Sequence, residues 1–307
     1  MKTIAYGTLV VAFLTLLGCG SLVQDVDQGT LPVATPKLVI HCFISPQDDE
    51  IVVYVQRLST QSDTSRLPTN RSLEGCTVTL SDGTRTGQLY LYNNQFGTYY
   101  GYSVLDLPIV AGRTYTLTVS AANFPITTAY CTVPEQVKPT ELRIDSLVRL
   151  QSDVPKTIYA GRLIWQDPVD QTNFYKVSGQ AIETFTYSER QEPNGPVRDV
   201  TLTSNNDLLF DAPTLITDLS WNGKQLSAAR GEVTFYQQSS LRHRGLQLNM
   251  TLSNVDENYY RYHHAVARQN EAENNPFAEP VLIPSNIQNG LGCFGAYNQS
   301  SLMVRVR

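Results

Sequence analysis

The residues best placed to do chemistry begin with "LLGC", Leu16 to Cys19, which follows the apolar run "IAYGTLVVAFLTLLG". That run ends in small residues and falls short of the roughly 18 to 20 residues of a permanent membrane helix, so residues 1–18 read as a signal peptide. The junction has the pattern of a bacterial lipobox, where a thiol accepts a diacylglycerol and the chain is cut just before it. Cys19 is therefore the lipidation candidate, and beyond that N-terminal lipid no cofactor is expected. A plain secretory signal with an incidental Cys is the competing reading. Two or three acyl chains, at roughly 0.8 kcal/mol per buried CH2, hold a protein on a membrane without a spanning helix.

The other reactive side chains are less well arranged. Asp48, Asp49 and Glu50 in "SPQDDEI" have the oxygen chemistry for calcium, and a turn between two strands explains them equally well. His263 and His264 are adjacent, so on a helix they point about a hundred degrees apart and do not share one metal easily. With His41 and His243 they read as surface or packing histidines. Alternation puts Cys42 with Leu38, Ile40 and Ile44, Cys76 with Val78 and Leu80, and Cys131 with Ala129 and Val133. These thiols point toward a core and read as small buried hydrophobes, a Cys76–Cys131 disulfide being the alternative. No CxxC pair supports zinc or a redox dithiol. GxSxG, HExxH, the P-loop and GxGxxG are all missing, so the expectation is no catalytic residues, no metal and no cofactor.

Elements that would position such groups are mostly strands. At 307 residues, 41% hydrophobic and 17% charged, the chain can bury one large core or two ordinary ones. The net charge of -5 is interspersed, so no basic face is offered to phosphate backbones and nucleic acid is not an expected partner. Residues 19–36 carry Asp25 and Asp27, are polar and Pro-bearing, and read as a flexible tether behind the lipid. Residues 37–135 contain "LVIHCFI", "IVVYVQRL", "CTVTLSDG", "GTYYGYSV", "RTYTLTVSA" and "PITTAYCTV" with turn residues between them, the pattern of an immunoglobulin-like β-sandwich. Asp82-Gly83 is its clearest hairpin turn. "PEQVKPTE" reads as the linker to a second β-rich domain, residues 140–307.

One helix is expected, over residues 255–272. Asn254 and Glu257 have capping-box spacing there, and Val255, Tyr259, Tyr262 and Val266 share a face. After it, Asn274 to Asn298 is too apolar for a solvated loop and too rich in Pro and Gly for a helix. Pro276, Pro280 and Pro284 favour extended backbone, while Gly290, Gly292 and Gly295 permit close approach. The segment is expected to cover the end of the second domain through Phe277, Val281, Leu282, Ile287, Leu291, Phe294 and Tyr297. Asn286 and Asn289 would bond its irregular backbone. A ligand pocket or docking surface is the other use for such a loop.

The order "LSNVDENYYRYHHAV", "NPFAEPVLIPSNIQNGLGCFGAYN" and "SSLMVRV" resembles the Bacteroidetes lipoprotein family known as domain of unknown function 4249. "PKLVIHCFISP", "CTVTLSDG", "AGRTYTLTVSA" and "TELRIDSL" follow the same order, so the resemblance covers nearly all of the mature chain. Its signature loop maps onto Asn275, Pro276, Phe277, Pro280, Asn286, Gly290, Gly292, Phe294 and Gly295. Cys293 stands where the family more usually has an aliphatic residue, in keeping with a buried role. The resemblance implies a lipid-anchored outer-membrane protein, cell-surface exposed or periplasm-facing, acting as a non-enzymatic accessory to a TonB-dependent transporter or similar assembly. A carbohydrate- or protein-binding adhesin is the alternative, with "QLYLYNNQFGTYYGY" supplying aromatic platforms. Ser146, in "DSL", matches the Asp-Ser/Thr-aliphatic sequence at which Bacteroidetes attach O-glycans.

Overall fold

Alternating burial builds most of the chain into strands, and two of those strands turn corners that join otherwise separate layers. The computed structural model describes residues 36–58, 72–95, 97–151, 154–169, 171–190, 196–236, 242–273, 275 and 278–306. The signal peptide, Cys19, the acidic tether residues, Pro276 and Phe277 lie outside them. Lys37–Leu58 and Asn70–Arg307 form one compact unit.

The first layers use β1 (Leu38–Ile44), β2 (Glu50–Arg57), β3 (Thr77–Ser81), β4 (Thr86–Asn94), β5 (Gly97–Ser103), β6 (Thr114–Ser120) and β7 (Thr127–Thr132). β1 alternates strictly, with Leu38, Ile40, Cys42 and Ile44 buried, as the pattern requires. Tyr115, Leu117 and Val119 of β6 are buried in the same core. The corner is β4: its first half pairs with β3 and its second half with β5. One sheet thereby folds over itself, and the two leaves enclose the sandwich core.

The rest adds β8 (Pro139–Gln151), β9 (Val154–Gln166), β10 (Phe174–Arg190), β11 (Val197–Asp207), β12 (Leu209–Phe210), β13 (Leu215–Thr217), β14 (Gln225–Ser227), β15 (Gly231–Tyr236) and β16 (Arg242–Val255). Helix α1 (Glu257–Ala272) and β17 (Leu291–Arg305) complete the chain. Trp165, Leu163, Tyr175, Val177, Leu248 and Met250 are core members of a second buried cluster. The protein is thus mainly β, with a single C-terminal helix among the described residues, none long and apolar enough to cross a membrane.

β17 is the second corner, and it begins well before "SSLMVRV". Its first half pairs in parallel with β1, and its second half pairs antiparallel with β16. The glycines explain the parallel seam: Gly292 has φ +106, and a Cβ there would sit 2.0 Å from the Ile40 carbonyl oxygen. "GLGCFGAYN" is therefore a strand, and only the stretch before Leu291 is the irregular part.

The helix starts later than its spacing predicts. Asp256, not Asn254, is the cap and accepts from the Tyr259 N–H at 3.0 Å. The Asn254 side chain instead donates to the Glu135 carbonyl, while Asn298 donates to Pro134 and Ser300 to Val137. The segment that reads as a linker is thus stapled along β16 and β17.

Candidate functional site

The signature segment closes the sandwich rather than covering the second cluster. Ile287 and Phe294 are buried in the first core. The Gln288 N–H donates to the Thr128 carbonyl, and Asn289, at φ 60, donates its side chain to Ile126. Asn286 grips the Phe294 backbone from both sides, accepting at 2.9 Å and donating at 2.7 Å. The two asparagines thus tie the irregular segment to the backbone of β17 and to the edge of β7. Leu282, expected to pack, is 91% exposed. Pro280 is exposed, Asn275 donates its backbone N–H to Ala272, and Gly290 and Gly295 are buried where a Cβ would crowd Ile287 and Tyr259.

Helix α1 lies over β1 and β17 with its titratable groups quenched. Phe43 meets Tyr259 edge-on at 5.1 Å, and His41 bonds the Tyr262 hydroxyl at 2.8 Å. Burial, with Lys176 and His41 adding to it, lowers the His263 pKa to about 4. Burial also pushes the Cys42, Cys131 and Cys293 thiols well up, so they are packed thiols rather than nucleophiles. All four described cysteines are free, Cys76 being only partly buried. Burial raises Asp256 to about 6, even though the Ala296 and Tyr259 N–H groups favour its anion. His264 is exposed and stacks on Tyr260, and the His243 side chain lies outside the described set. Asp48 accepts from the Tyr297 hydroxyl at 2.8 and 3.0 Å, a structural use for the acidic turn. Among the described residues no three His, Cys, Asp or Glu gather as a metal site.

The arrangement with room for a partner is on the second cluster's side. Two loops, 167–173 and 218–223, are cross-linked at their bases. Asp167 accepts from Gly223 N–H at 2.8 Å, Asp218 accepts from Asn173 N–H at 2.8 Å, and Asn222 donates to the Gln171 carbonyl at 3.0 Å. Tyr175 donates a short hydroxyl bond to Asp167. Both carboxylates are buried, at 1% and 0% exposure, whereas the tips above them carry Val169 at 64%, Leu219 at 71% and Trp221 at 55%. Lys224 places its Nζ 5.1 Å from the Trp221 ring centre. Beside this rim runs a groove of about 690 Å3, bordered by Leu219, Gln171, Phe174, Tyr260, Glu257 and Arg261. Arg261 is tied to Glu257 at 2.7 Å.

A second exposed feature is aromatic. Tyr92 and Tyr99 face each other across β4 and β5 with rings 5.6 Å apart and 21° from parallel, and Tyr54 of β2 extends the row at 6.1 Å. A Cβ at Gly101 would sit 3.0 Å from the Tyr92 ring. Ser146 is exposed on β8, a strand paired only with β9, so its hydroxyl faces solvent despite lying in a ladder.

Sequence reasoning passed over Asp167, Asn173, Tyr175 and Asp218, because each acid sits beside turn-like residues and reads as a turn. The available signal was Tyr175, an inward-facing strand tyrosine whose hydroxyl needs a buried partner. No curated protein matches the chain. A family model described as Domain of unknown function (DUF4249) matches residues 22–302, nearly the whole chain, and the protein belongs to that family.

Proposed function

We propose that this chain is a lipid-tethered, non-enzymatic binding subunit of an outer-membrane assembly, with a TonB-dependent β-barrel transporter as the partner class to test first. The observation that carries the binding role is the rim: apolar tips at Val169, Leu219 and Trp221 above bases pinned by buried hydrogen bonds, beside a 690 Å3 groove. A tryptophan on a pre-organised loop is a typical interface anchor, since little ordering entropy is left to lose on docking. The membrane half of the reading rests on Cys19 and "LLGC". Lipid on Cys19 would leave residues 20–36 as a tether, on the cell surface or facing the periplasm.

The experiment is a mild-detergent pull-down of the tagged full chain from its native membrane, with intact-mass measurement of the N-terminus. A diacylated Cys19 and a stoichiometric barrel partner are the expected results. An unlipidated, cleaved chain eluting alone contradicts the proposal.

One observation favours a second reading. The near-parallel Tyr92 and Tyr99 rings, with Tyr54 tilted beside them, form the kind of aromatic surface on which sugar rings stack, as a glycan-binding adhesin would require. Such a protein would bind glycan arrays without a barrel, and Tyr92→Ala would abolish that binding. O-glycosylation of Ser146 is compatible with either reading.

A further inference from the structure

Beneath the rim, the two buried carboxylates share too few donors. Asp167 uses both oxygens: Oδ2 accepts from Gly223 N–H at 2.8 Å, and Oδ1 accepts from the Tyr175 hydroxyl. Asp218 Oδ2 accepts from Asn173 N–H at 2.8 Å, but Asp218 Oδ1 is fully buried and accepts from no donor among the described residues, with Asp167 the acid that faces it. Among the described residues no Lys, Arg or His bonds either carboxylate, and Lys224 is turned to Trp221. The Asn173 amide nitrogen stands 3.4 Å from each of Asp167 Oδ1, Asp218 Oδ2 and the Gln171 carbonyl oxygen. Three acceptors share one NH2 group, each at the outer limit of bonding, so the amide is held loosely among oxygens.

Two carboxylates buried side by side need either a proton between them or a cation. We propose that Asp167 and Asp218 bind one calcium ion, with the Gln171 carbonyl and the Asn173 side-chain oxygen, its amide turned half a turn, completing the protein's share of the ligands. Every donor is a hard oxygen of mixed type in irregular array, which suits Ca2+ with added water and not Mg2+, which demands a near-ideal octahedron. Among the described residues the set contains two acids, so its chemistry lies in amide and carbonyl oxygens as much as in carboxylates. Gln171 and Asn173 also border the groove, which gives the ion a path from solvent. Calcium there would tie loop 167–173 to loop 218–223 and stiffen the rim that carries Trp221. The inference concerns the ion alone and stands whether or not the rim docks a barrel.

The test uses the full chain stripped with chelator. Thermal unfolding is followed with chelator, CaCl2 or MgCl2, and Tb3+ luminescence sensitised by Trp165, whose ring is 5.2 Å from Tyr175, reports occupancy directly. The expected result is a saturable rise in midpoint of roughly 5 °C or more at a hundredfold excess of calcium over its Kd. Mg2+ should give far less, and Ca2+ should quench the Tb3+ signal by displacement. The isosteric Asp218→Asn should lose both responses; should it fail to fold, the wild-type Tb3+ titration decides. A midpoint indifferent to calcium, with no sensitised Tb3+ emission, overturns the proposal. So does a midpoint that falls as pH rises without any calcium response, since the pair then holds a proton. A calcium response retained in Asp218→Asn likewise overturns it.

Discussion

Two regions of this protein bury ionisable groups, and they resolve the cost differently. Under helix α1, His41, His263, Asp256 and the thiols are packed among Phe43, Tyr259 and Tyr262, and burial shifts them toward their neutral forms. Below the rim, Asp167 is hydrogen-bonded by Tyr175 and Gly223, and Asp218 is left with a buried oxygen that no described donor reaches. The first region is packed chemistry, its groups biased toward neutral forms by their aromatic neighbours. The second is open chemistry beneath an exposed tryptophan, and that difference is why the functional reading rests on the rim rather than on the family's signature segment.

The comparison breaks most visibly at the seam. Gly292→Ala forces a Cβ into the Ile40 carbonyl at a positive φ and should cost more than about 3 kcal/mol in urea unfolding. A neutral outcome would mean that β17 does not seat on β1 as closely as described. On the rim side, Tyr175→Phe removes the hydroxyl that holds Asp167 and should cost about 1–3 kcal/mol without altering the strand content seen by circular dichroism.

The next effect is pH-dependent and belongs to the helix side. His263 titrates near 4 in the fold and near 6.5 when unfolded, so below pH 6.5 the unfolded chain takes a proton that the folded chain refuses. Stability from this source is therefore lost as pH falls from 6.5 toward 4. Asp256 runs the other way: raised to about 6, its contribution is fully present below the unfolded value of 3.8 and is lost as pH rises through 6. In the wild type the two partly cancel between pH 4 and 6. His263→Phe should then lose less stability than wild type on acidification to pH 4, by about 1–2 kcal/mol, and Asp256→Asn should lose more. Parallel pH profiles for all three proteins would show that neither group is perturbed by burial.

What the sequence disclosed follows from what is local. Strict alternation located β1, β3, β6 and β7 with their inward faces, and the helical stripe found α1 within two residues. The cap was misplaced because Asn254 and Asp256 both have capping chemistry, and a contact with the distant Glu135 claims Asn254. Pairing of β1 with β17 joins residues about 250 positions apart, which no local pattern encodes; its trace was the spacing of Gly290, Gly292 and Gly295. The carboxylate pair was hidden for the same reason, since Asp167 and Asp218 meet only after two loops fold against each other. Sequence singled out Cys19, Ser146 and the signature residues, and the structure adds the rim, which carries no motif.

The smallest expected effect on stability is the most informative for function. Trp221→Ala should change unfolding by no more than about 0.5 kcal/mol, because the side chain is exposed. The decisive measurement is a mild-detergent pull-down from native membranes with wild type, Trp221→Ala and Tyr92→Ala in parallel. The account predicts that a membrane partner co-elutes with wild type and Tyr92→Ala and is lost from Trp221→Ala. Co-elution undiminished in Trp221→Ala, or no partner with wild type, would contradict the claim that the rim is the working surface of this protein.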